Sequence, residues 1–140
     1  MPKWAWLVVG IGVGASAHAA TMWPTVGSMD DTPWRVASSG QAKVQALARG
    51  QNAFVGRMML EPGAKVAPHA DTTEEFVVVL SGGGTMVLGG ETHRLTKGSV
   101  VYMPAGIQVS YTNGDEASEI LQVFAGPEPA SKYDAWPVAP

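Results

Sequence analysis

The stretch Gly63–Gly82, GAKVAPHADTTEEFVVVLSG, decides how this chain is read. It follows Pro62 through a Pro-Gly turn and crosses a short polar segment carrying His69 and Asp71. A connector, Thr72-Thr73-Glu74, leads to Glu75 and the apolar run Phe76 to Leu80. An unbroken run of Phe, Val and Leu closed by Ser-Gly-Gly-Gly reads as a strand buried on both faces. His69 and Asp71 stand two residues apart, so on an extended segment their side chains point the same way. A hairpin at the connector would swing Glu75 back toward them. One imidazole and two carboxylates then meet beside an apolar strand.

Outward from this stretch the same texture continues. Lys43–Arg49 alternates Val44, Ala46 and Ala48 with polar residues and reads as a strand, followed by a turn at Gly50-Gln51-Asn52 and a second run, Ala53–Glu61. Beyond Gly82 come Thr85–Leu88, a Gly89-Gly90 turn and Thr92–Leu95, which is a hairpin pattern. Ser99–Met103 stops at Pro104-Ala105-Gly106, Val109–Thr112 resumes, Asn113-Gly114 signals a type I′ turn, and Glu119–Phe124 closes the set. About eight short strands separated by Gly, Pro and Asn, with no convincing helix, define an all-β sandwich or barrel. The barrel spans 43–125. An irregular arm with Trp23 and Trp34 precedes it (20–42), and a Pro-rich arm follows (126–140).

With 140 residues, 46% of them hydrophobic, the chain forms one domain with room for a real core. A net charge of −3 and the lack of a basic stripe argue against nucleic acid as a partner. The absence of cysteine excludes disulfides, thiolate metal sites and a cysteine nucleophile. Residues 1–19 have the makings of a secretory signal: Lys3, an apolar stretch from Trp4 to Val13, and the small-x-small site Ala17-His18-Ala19. The apolar stretch is broken by glycine and falls short of the roughly 20 residues that a membrane span needs. The expected product is a secreted or periplasmic protein with no membrane insertion after signal cleavage.

The residues of the central stretch and of its sequel resemble the cupins. The first cupin motif appears as Gly63, five residues, His69-Ala70-Asp71, three residues, Glu75, six residues, Gly82. The second appears as Gly98, five residues, Pro104-Ala105-Gly106, two residues, Val109, three residues, Asn113. The resemblance implies a double-stranded β-helix, or jelly-roll barrel, lined by the motif residues. It also implies an enzyme acting on a small organic or carbohydrate-derived molecule, by dioxygenation, isomerisation, lysis or decarboxylation, and a homodimer. Strand parity sets Glu75, Val77 and Val79 on the inner face and leaves Phe76, Val78 and Leu80 as an outer apolar strip needing cover.

The family's metal set is three histidines and a glutamate. This chain keeps His69 and Glu75, has Asp71 for the second histidine, and has Val109 where the fourth ligand belongs. Three outcomes follow for the cluster. His69, Asp71 and Glu75 hold a divalent ion (Mn, Fe or Zn) completed by water. Alternatively no metal binds, and the paired carboxylates Asp71 and Glu75 work as acid and base, one pKa raised by the other's charge. In the third outcome the site is degenerate and the residues merely decorate a wet barrel mouth; the alternative function is then a non-catalytic cupin that binds a small ligand or metal. Val77, Val79, Val109 and Tyr111 form the expected pocket wall. His93, in parity with Leu95, is expected in the core. Glu74 is expected in solvent, and Met58, Met59, Met86 and Met103 as core filler.

Overall fold

A computed structural model describes residues 23–140, so the signal and cleavage-site readings lie outside the described residues. Ten strands run in order: β1 Arg35–Val36, β2 Ala42–Arg49, β3 Phe54–Leu60, β4 Lys65–His69, β5 Glu75–Ser81, β6 Gly83–Leu88, β7 Glu91–Thr96, β8 Val100–Met103, β9 Val109–Asn113 and β10 Ser118–Phe124. They form two antiparallel sheets, β1-β2-β3-β10-β5-β8 and β4-β9-β6-β7, facing one another. This is the jelly-roll barrel expected from the sequence.

Alternation does the folding work. On β3 and β10 every second residue is buried, among them Phe54, Met58, Leu60, Ile120 and Phe124. On β5 the inward set is Glu75, Val77 and Val79, as parity requires. Phe54 and Phe124, fully buried, pack with tilted rings 5.8 Å apart where the ends of the central strands β3 and β10 pair. Gly82, at φ +72°, turns the chain out of the larger sheet and into the smaller one. A Cβ there would run into Ser118 and the carbonyl of Ala117, so only glycine fits.

Several expectations are corrected. The segment before Asp71 is itself a strand, β4, at the edge of the smaller sheet. Pro68 is tolerated there because an edge strand has ladder positions without a partner, and the pairing with β9 is irregular between Val66 and His69. The connector 72–74 is no hairpin: β4 and β5 belong to different sheets, and the connector crosses between them. Asn113-Gly114 forms no type I′ turn, since Asn113 ends β9 and neither residue has positive φ. The tail carries a 3₁₀ helix, Glu128–Ala135, with proline in its first turn where no N–H is needed. His93 is not in the core. It is exposed on the edge strand β7 and its Nε2 lies 3.8 Å from Glu91, because β7 buries only Leu95.

Both arms pack onto the barrel. In the N-terminal arm, Trp34 stacks beneath the Lys43 ammonium and the Arg57 guanidinium, at 5.0 and 5.2 Å. The C-terminal arm is held by a two-point Arg49–Asp134 contact, both distances 3.1 Å, and by Arg35 donating to the Trp136 carbonyl at 2.9 Å. Among the described residues nothing covers the outer strip of the larger sheet along β5 and β8, where Phe76 and Tyr102 pair with centroids 5.2 Å apart.

Candidate functional site

The barrel holds a cavity of about 520 Å³ that opens to solvent. Its depth is apolar, walled by Met58, Val77, Met86, Met103, Val109 and Tyr111 among others, while His69, Asp71, Glu75, Gln122 and Lys132 give it a polar side. That size and mix suit a small organic ligand. Of the expected wall residues, Val77, Val109 and Tyr111 line the cavity. Val79 faces inward and is 1% exposed, but it sits in the packed core off the cavity wall.

Glu75 begins β5, opposite Met103 of β8 and Phe124 of β10. These neighbours leave its side chain 6% exposed. Its Oε1 accepts a hydrogen bond from Gln122 Nε2 at 3.1 Å, and Tyr133 Oη donates to Gln122 Oε1 at 3.1 Å. A polar chain thus runs Tyr133–Gln122–Glu75 across the cavity wall. Burial, and then the charge of Asp71, push the Glu75 carboxyl up to about 7, against the opposing pull of Lys132 and the Gln122 hydrogen bond. Burial also raises the Tyr133 phenol, and the negative charge of Glu75 adds to it. Near neutral pH, Glu75 therefore shares its time between acid and base.

His69 and Asp71 come together as parity predicted, with Nε2 and Oδ2 3.7 Å apart. His69 Nδ1 lies 2.8 Å from the carbonyl of Ala67. Asp71 is fixed through its backbone: its carbonyl accepts the Gly106 amide at 2.8 Å, which joins the two motif loops. Gly106 adopts φ +79°, the reason this motif position is glycine. Val109 pairs directly with His69 across β9 and β4, placing an inert side chain where the family's fourth ligand would stand.

The donor set does not fit a bound metal as arranged. Among the described residues no three His, Asp or Glu side chains gather around a common point. His69 is turned toward Ala67 and Asp71, and Glu75 is engaged by Gln122. The expected triad for Mn, Fe or Zn is thus a His69/Asp71 pair with a separate, buried Glu75. Sequence reading missed Gln122, Lys132, Tyr133 and Trp136. Gln122 could have been found by parity with Ile120 and Phe124, while nothing local marks the other three.

The comparisons agree with this architecture. The cupin domain family matches residues 56–124. An uncharacterized protein of Streptomyces coelicolor is 32% identical over 100 residues, covering 71% of this chain and 94% of its own. The chain belongs to the cupins. Among solved structures, an RmlC-like cupin from Shewanella frigidimarina superposes with TM-score 0.68 at 16% identity, over 74% of this chain and 92% of that one. The polyketide cyclase RemF from Streptomyces resistomycificus gives TM-score 0.65 at 17% identity, over 73% and 79%. At such identities the likeness is one of fold.

Proposed function

We propose that this cupin binds a small, largely apolar organic molecule in its barrel and that Glu75 exchanges protons with it without a metal. The observation that carries the reading is the position of Glu75. It is a buried carboxyl on the wall of an apolar cavity, hydrogen-bonded by Gln122 and set beside the negative charge of Asp71. Asp71 and Glu75 divide the work by environment: Asp71 supplies the charge that helps hold the proton on Glu75, and Glu75 gives and takes it. The reaction class that fits is proton transfer at carbon next to a carbonyl, as in isomerisation or lysis.

The test is hydrogen–deuterium exchange in D2O with a panel of small aryl ketones and β-dicarbonyl compounds, in the presence of EDTA. The expected result is exchange that the mature protein accelerates and that Glu75→Gln slows at least about tenfold. Equal rates for the two proteins would reduce the barrel to a binding module. A stoichiometric Mn, Fe or Zn that is lost in Glu75→Ala would contradict the metal-free reading.

The leader pattern supports export, and an exported chain whose amino terminus is Ala20 would establish it. The apolar strip that the described residues leave exposed on the larger sheet supports a homodimer, with Val100 72%, Tyr102 48% and Phe76 39% exposed. Sedimentation of a monomer that Tyr102→Glu leaves unchanged would oppose it.

A further inference from the structure

The C-terminal arm contributes more than cover. It lies outside residues 56–124, yet it brings Lys132, Tyr133 and Trp136 to the cavity. The Lys132 ammonium stands 5.6 Å from the ring centre of Phe124 and 5.4 Å from that of Tyr133. Both rings are buried, Phe124 at 0% and Tyr133 at 2% exposure, while Lys132 itself is exposed and lines the cavity, which sets its ammonium at the rim. The backbone that carries it is fixed by Arg49 on Asp134 and by Arg35 on Trp136. Among the described residues no carboxylate lies within ion-pairing distance of Lys132. Asp71 faces His69 at 3.7 Å, and Glu75 takes its hydrogen bond from Gln122.

We infer that Lys132 is a specificity residue that receives the carboxylate of an amphipathic organic acid, whose apolar body lies against Met58, Met86, Met103 and Val109. The inference rests on the proposed reading of the barrel as the ligand site. Two features of the cavity define the ligand class. A positive charge that no carboxylate pairs directly, felt by Glu75 only at longer range and held over aromatic faces at the rim, is completed by an anion. The thioethers of Met58, Met86 and Met103, all buried and all on the cavity wall, give a polarizable lining that favours a flat aromatic or unsaturated body. An arylalkyl carboxylic acid meets both conditions.

The probes are 3-phenylpropionate and its neutral counterpart 3-phenylpropan-1-ol, titrated into the mature protein and into Lys132→Gln at pH 7.5 and followed by calorimetry. The expected result is that the wild type binds the acid about tenfold more tightly than the alcohol. In Lys132→Gln that preference should vanish while alcohol affinity stays within about twofold, since Lys132 is exposed and the core rings beneath it stay in place. Equal binding of acid and alcohol to the wild type would overturn the assignment of Lys132 and leave the barrel as a ligand site. An acid-to-alcohol ratio unchanged in the variant, or loss of both ligands together, would overturn it too. If neither probe binds the wild type up to about 10 mM, the ligand-site reading falls with it.

Discussion

Glu75→Gln is expected to stabilise this protein at pH 8 by about 3 kcal/mol and to flatten its dependence on pH. The carboxyl rises from an ordinary 4.5 to about 7 in the folded state. Each unit is worth about 1.4 kcal/mol, giving about 3 kcal/mol between the two states. The folded chain holds the proton more tightly than the unfolded chain does. Stability contributed by the protonated carboxyl is therefore full below about 4.5 and is lost as pH rises to about 7. Above that, the wild type carries a buried charge offset only in part by the Gln122 hydrogen bond and by Lys132. Glutamine has the same shape, keeps an acceptor for Gln122 and has nothing to ionise. Urea unfolding of both proteins between pH 4 and 8 reads the difference. Parallel curves across that range would mean that Glu75 is not the buried, proton-holding group described here.

Asn113→Ala has an expected effect of similar size and opposite sign, a loss of about 3 kcal/mol or more at every pH. The Asn113 amide is 4% exposed and joins several segments. Its Nδ2 donates to the carbonyls of Leu60, Glu61 and Glu116 at 3.2, 2.9 and 2.9 Å. Its Oδ1 accepts from Ser118 Oγ at 2.5 Å and from Tyr111 Oη at 3.1 Å. Alanine leaves these buried groups without their partner. Thermal and urea unfolding measure the loss. A change below about 1 kcal/mol would show that the network is incidental to the fold.

These two residues mark what the sequence disclosed and what it did not. The barrel was legible because its turns need particular backbones: Gly63, Gly82, Gly98 and Gly106 all adopt positive φ, and their spacing leaves a pattern that survives without any fold in view. Parity was equally legible, and Glu75, Val77 and Val79 face inward as alternation required. The pairing of His69 with Asp71 followed from the same rule.

Asn113 misled. Asn-Gly is a strong local turn signal, and here a tertiary demand for a buried five-bond amide overrides it. The path from His69 to Glu75 misled for a similar reason, since a short connector does not disclose whether it folds back within one sheet or crosses to another. His93 followed parity with Leu95 into an expected core that the edge strand β7 does not cover. The Lys132 and Tyr133 side of the site was out of reach altogether. Those residues meet Phe124 and Gln122 only because the tail folds back over the barrel, and no spacing within the tail records that contact.

Titration of the Glu75 side-chain carboxyl by 13C NMR, in protein labelled on glutamate and assigned with Glu75→Gln, tests the central claim most directly. The expected result is a midpoint of about 7, moving down in Asp71→Asn because Asp71 helps hold the proton. A midpoint near 4.5, the ordinary value, would contradict the account and leave a cupin barrel with no neutral-pH acid at its centre.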